Sequence, residues 1–148
     1  MASQGLNGLD AGDVSFLRPA LGGASQQETL RTIDILNAYF DSANIPPDQG
    51  EKLIQAAVNG GSKFDREGNT VMAFKQLPPN AAQIYFFSVD RPEVFARSMV
   101  KLITPLKQSG VQVVYMNKVD PTIVKTMQAV GLQTQQSDRP DYKIMAAL

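Results

Sequence analysis

The chain of 148 residues contains no histidine, no cysteine and no tryptophan. That removes the thiolate nucleophile, the disulfide and the Cys/His zinc site. It also removes the imidazole general base. Proton transfer would fall to Asp, Glu, Lys, Tyr, Ser or backbone groups. Three of the tyrosines, Tyr85, Tyr115 and Tyr142, lie in apolar runs and read as half-buried strand residues rather than acids. Asp10, Asp13, Asp34, Asp41, Asp48 and Glu51 lack the spacing of a cation loop and suit solvated or capping roles. Gly60-Gly61-Ser62-Lys63 lacks the first glycine of a phosphate loop. No catalytic residue, no metal and no cofactor is expected.

The elements that would position any site are clearest from Gln83 onward. Gln83–Val89 is a strand, Arg91 opens a helix that ends before Gly110, and Val111–Met116 is a second strand. Two short apolar runs joined by a four- to five-turn helix make a βαβ unit with parallel strands. Asp90 is the expected N-cap of the long helix, with Glu93 completing a D-x-x-E box and Pro92 in the first turn. Phe95, Met99, Leu102, Ile103 and Leu106 form its buried stripe, and Pro105 is expected to kink its last turn. Asp120-Pro121 caps a short helix to Val130, which Gly131 ends. Gln133–Gln136 and Asp141–Ala147 then pair as a final hairpin.

Upstream, Ser25-Gln-Gln-Glu28 is a capping box, and helical spacing predicts a helix over 26–41. Pro46 or Pro47 opens a second helix, whose Leu53, Ile54, Ala57 and Val58 face the core and which Asn59-Gly60-Gly61 ends. Lys63–Asp65 and Thr70–Leu77 are strands joined by Glu67-Gly68-Asn69. With Gln83–Val89 they form an antiparallel meander. Met72, Met99, Met116, Met127 and Met145 read as core filler.

Fourteen basic and fourteen acidic side chains give zero formal charge. That balance disfavours nucleic-acid backbone binding as the main role. No apolar run approaches the ~20 residues of a membrane helix, and no signal peptide is apparent at the start. The chain therefore reads as one domain over 25–148, made in a cytoplasm and needing no membrane. Residues 1–24 read as an extended Gly-rich arm. Its Leu6, Leu9, Val14, Phe16, Leu17 and Leu21 are spaced for docking into a neighbouring subunit.

The fold class is α/β (α+β), a mixed and mostly antiparallel sheet flanked by helices. Helix, helix, three antiparallel strands, long helix, strand, short helix and closing strands resemble the GNAT superfamily of N-acetyltransferases over residues 26–148. Asp120, followed eleven residues later by Gly131-Leu132, is similar to that family's Asn-led helix ending in Gly-Phe. The tail Ser137-Asp-Arg-Pro-Asp-Tyr-Lys-Ile-Met145 resembles small acetyltransferase-like proteins encoded among the virion genes of tailed bacteriophages. Active members of the family carry Gln/Arg-x-x-Gly-x-Gly/Ala at the turn after the fourth strand, where backbone N–H groups cradle the coenzyme A pyrophosphate. Here that turn reads Asp90-Arg-Pro-Glu-Val-Phe-Ala96, without glycine, with a proline lacking an N–H and with two acids. The family's general-acid tyrosine aligns with Met127, whose thioether has no proton to give.

The resemblance thus implies the fold without the chemistry. The expected role is a non-enzymatic structural component of a bacteriophage particle. It would be made in the host cytoplasm, reside in the virion, and be tied by its arm to capsid, portal or tail subunits or to copies of itself. The alternative is an acyl-CoA-dependent N-acetyltransferase with a divergent cofactor loop, in which Arg91 and backbone N–H groups from Val94 onward replace the missing nest. A third reading is an adaptor that binds a host protein through an exposed strand edge.

Overall fold

The structure, a computed structural model, describes residues 17–148. Six strands form one sheet: β1 (Lys63–Glu67), β2 (Thr70–Leu77), β3 (Ala81–Ser88), β4 (Val113–Met116), β5 (Thr134–Gln136) and β6 (Ile144–Ala147). Their order across the sheet is β1-β2-β3-β4-β6-β5. The meander β1-β2-β3 is antiparallel, β3 and β4 are parallel, and β6 lies antiparallel between β4 and β5. The βαβ unit and the closing hairpin of the sequence reading are therefore present. Both core strands start later or earlier than expected: β4 begins at Val113 rather than Val111, and β3 at Ala81 rather than Gln83.

Four α-helices flank the sheet: α1 (Gln26–Ser42), α2 (Pro47–Asn59), α3 (Pro92–Gln108) and α4 (Pro121–Ala129). Alternation along the strands assigns the two faces. On one face, Met72, Ala82, Ile84, Phe86, Val114 and Met116 pack with the stripe of α3 and with Ile123 and Met127 of α4. On the other, Val71, Ala73 and Phe64 pack with Leu36 and Phe40 of α1 and Ile54 of α2. The mixed, mostly antiparallel sheet between helices is the fold class expected.

Local chemistry explains the boundaries, with corrections. Ser25 Oγ accepts from Glu28 N at 3.1 Å, as a capping box requires. The Glu28 carboxylate does not return to Ser25; it takes a two-pronged hydrogen bond from Arg66 at 2.8 to 3.1 Å and so ties α1 to β1. Leu53, expected to face the core, is 40% exposed, whereas Ile54 is buried. Helix α3 continues through Pro105 to Gln108. In α2, Gly50 is buried because a Cβ there would lie 2.6 Å from Phe40 Cδ2, so only glycine lets α1 and α2 approach this closely.

The extended-arm reading of residues 1–24 needs a changed boundary. Pro19–Leu21 is one turn of 3-10 helix, ended by Gly22 at φ 69°. Leu17 is fully buried and Ala20 nearly so, both inside the core shared by α1, α2 and β1. Residues 17 to 21 therefore belong to the domain itself.

Candidate functional site

Two places could hold a ligand: the start of α3 and the region where β3 and β4 separate. At the first, the Asp90 N-cap is a correction. The N-cap is Arg91, and no side chain caps this helix. Asp90 instead points back to the β1–β2 turn, where Oδ2 accepts from Asn69 N and Thr70 Oγ1, both at 3.2 Å. Thr70 Oγ1 lies 2.7 Å from Ser88 Oγ, which also accepts from Asp90 N. The turn is held at the same point by Val89 N donating to Asn69 O. Glu93, freed from the expected box, lies 3.5 Å from Arg91 Nε at the surface. A helix N-terminus attracts anions through its dipole and unpaired N–H groups. Here Pro92 removes one donor, and the Asp90 and Glu93 carboxylates place two negative charges beside the rest.

At the second place, strand length decides the geometry. Parallel pairing of β3 with β4 runs only from Ala81↔Val113 to Gln83↔Tyr115. Asn80 O accepts from Gln112 N at 2.7 Å, so even-numbered residues of β3 direct their backbone groups towards β4. The ladder stops after Gln83↔Tyr115, and from Tyr85 to Ser88 β3 runs on with no paired residue of β4 opposite it. Strand β4 itself ends one residue later, at Met116. Across the opening, Tyr85 Oη donates to Asp120 Oδ2 at 3.1 Å. The other carboxylate oxygen of Asp120 accepts from Thr122 N and Ile123 N, capping α4 as the sequence suggested.

A cleft of about 160 Å³ opens beside this bridge, on the α1 and α2 side of the sheet. Helix α1 contributes Tyr39 and Phe40, β3 contributes Tyr85 and Phe87, and Ile45 and Leu53 complete the apolar wall. Asn117 and Lys118, just after β4, form its polar edge. Phe87 stands edge-to-face to Tyr39 and Tyr85, with ring centroids 5.3 and 5.2 Å away. Tyr39 Oη lies 3.5 Å from Tyr85 Oη. Burial first, then contact with Tyr39 and Asp120, raises the Tyr85 hydroxyl pKa far above its ordinary value, so it remains a protonated donor.

The other tyrosines are also committed. Tyr115 donates to Asp138 Oδ1 at 2.7 Å under the Arg139 guanidinium, and that hydrogen bond together with burial raises its pKa. Tyr142 donates to Gln83 Oε1 at 3.1 Å. Met127 is 1% exposed and packed in the apolar core. Among the described residues no group of acids could hold a metal ion, and no helix is long and apolar enough to cross a membrane.

Of the arm residues expected to meet a partner, Leu17 is buried within its own domain and Leu21 is half-buried against the same core. Leu6, Leu9, Val14 and Phe16 lie outside the described residues. The sequence reading missed the cleft. Tyr39 and Phe40 were legible as one helix face and Asp120 as a cap, but no local pattern shows that β4 stops pairing with β3 after Tyr115.

No protein-family model and no curated protein sequence matches this chain. Among solved structures, it is similar to an aminoglycoside 6′-acetyltransferase of type Ii. That match has a TM-score of 0.50 and 11% identity and covers 95% of this chain and 93% of the other. It is also similar to an N-acetyltransferase from Staphylococcus aureus Mu50, with a TM-score of 0.47, 14% identity, and coverage of 83% and 92%. The chain has a GNAT-like fold.

Proposed function

We propose that this chain is a non-enzymatic structural component of a tailed-bacteriophage particle. In this reading a GNAT-like block is held to capsid, portal or tail subunits, or to copies of itself, with its N-terminal residues contributing to the contact. The observation that carries the non-catalytic half is the start of α3. Asp90 is fastened to the β1–β2 turn and Pro92 occupies the first helical position, so acid and proline stand where a diphosphate would need donors. Burial of Met127 in the core supports the same half, because no proton donor replaces it there. The particle assignment rests on the resemblance of the tail from Ser137 to Met145.

Calorimetry with acetyl-coenzyme A tests the first half: no heat of binding is expected, and dissociation in the low micromolar range would sink the proposal. For the second half, the full chain and a chain lacking residues 1–16 are co-expressed with candidate capsid, portal and tail subunits. Only the full chain is expected to join an assembly.

One observation favours the second reading, an acyl-CoA-dependent N-acetyltransferase with a divergent loop. Strand β3 runs on to Ser88 beyond its pairing with β4, which offers an extended ligand a strand edge. In that case Arg91 and the N–H groups from Val94 onward would have to hold the diphosphate, and the same calorimetry would detect it.

A further inference from the structure

The cleft between α1 and β3 has an apolar wall and exposed apolar side chains at its rim. Leu53, part of the wall, is 40% exposed, and Val119, next to the lining residue Lys118, is 59% exposed. Covering this face would take apolar surface out of water. The hollow of about 160 Å³ has room for one side chain or ring, since an apolar cavity of about 150 Å³ takes a benzene molecule. The chain carries a segment of suitable chemistry close by. The described residues begin at Leu17, which is buried in the same apolar cluster as Phe40. Phe40 also lines the cleft, and Tyr39, Ile45 and Phe87 join the two. Leu17 and the cleft thus share one face of the sheet. From β1, beside Leu17, to β3 is two strand spacings, roughly 10 Å. A chain spans at most ~3.3–3.6 Å per residue, so Val14 can just cover that distance, and Leu9 and Leu6 can with length to spare. Attachment at Leu17 also sets the competition. A tethered segment meets the cleft at an effective concentration in the millimolar range, so even a weak apolar contact is made within one chain ahead of a micromolar second copy.

We propose that residues 1–16 cover the cleft of their own chain, with an apolar side chain from Leu6, Leu9 and Val14 seated against Tyr39 and Phe87. In the particle reading the same residues meet a neighbour; covering the cleft gives them a place in the free chain, whether or not that reading holds. The chain has no cysteine, so Asn7→Cys creates a single attachment point for a nitroxide label between Leu6 and Leu9. Paramagnetic broadening of amide signals is then read on the full chain. Broadening is expected at Leu53, Phe87 and Asn117, and none at Val100 of α3, across the sheet. When labelled chain is mixed with unlabelled, isotope-enriched chain, the enriched amides are expected to stay sharp. Leu6→Ser, Leu9→Ser and Val14→Ser together are expected to abolish the broadening. Sharp signals at the cleft in the labelled chain, broadening in the mixture, which would make a second copy the occupant, or broadening that survives the three serines would each overturn the proposal. The assembly test and the acetyl-coenzyme A calorimetry read out separately, so failure here is distinct from failure of the particle reading.

Discussion

Tyr85 ties β3 to the start of α4 beside the cleft. Its hydroxyl is shared between Asp120 and the neighbourhood of Tyr39. Tyr85→Phe keeps the ring and loses the bridge, leaving one Asp120 oxygen without its donor. A loss of about 1 kcal/mol is expected in urea denaturation. The same group gives a pH signature. Tyr85 and Tyr115 both have folded-state pKa values raised above the ordinary tyrosine value of about 10. Above that value unfolded tyrosines lose protons that the folded ones keep, so deprotonation favours the unfolded chain. Stability is therefore at its full value below about pH 10 and falls as pH rises beyond it. Tyr85→Phe should flatten that fall, read as urea midpoint against pH. Met127 is the complementary case. Met127→Tyr places a larger side chain and a hydroxyl in a packed core, at an expected cost of about 1–3 kcal/mol, with no acetyl transfer gained.

Among the elements, α3 and the β1–β2 turn are the pair that shapes the would-be anion site. Asp90→Ala removes the acceptor of Asn69 N and Thr70 Oγ1. Faster hydrogen exchange at the Asn69 amide and a loss of about 1 kcal/mol are expected, with α3 itself intact because Asp90 does not cap it. Sequence patterns located the helices well, because caps, prolines and glycines are local signals. Ser25, Pro47, Pro92 and Asp120 each stand where a helix begins. The Asp90 assignment failed because an Asp three residues before Glu also fits a box, and only the fold brings Asn69 close enough to compete for it. The pairing of Glu28 with Arg66 was illegible for the same reason, being a contact across 38 residues. Gly50 was invisible as a packing residue, since nothing local marks a mid-helix glycine as a contact point. Its replacement, Gly50→Ala, drives a methyl into Phe40 and is expected to cost about 1–3 kcal/mol by chemical denaturation.

For the whole molecule, the main revision is where the domain begins. Leu17 is fully buried, so Leu17→Ala is expected to cost about 2–5 kcal/mol. Removal of residues 1–16 should leave a cooperative urea transition, whereas removal of 1–24 should lower its midpoint sharply. Scattered apolar residues among glycines looked like a tether because no helical or strand period runs through them. Burial of Leu17 and Ala20 depends on the third dimension, on a hollow formed by α1, α2 and β1. The order of the sheet was legible in outline; its early parting between β3 and β4 was not. That parting has a mechanical meaning. The sheet is a book of two three-stranded pages, β1-β2-β3 and β4-β6-β5, sewn along a spine only three residue pairs long. A protein held by neighbours on both pages would carry its load across that spine, which is no longer than the three-pair seam binding β5 to β6 at the sheet edge.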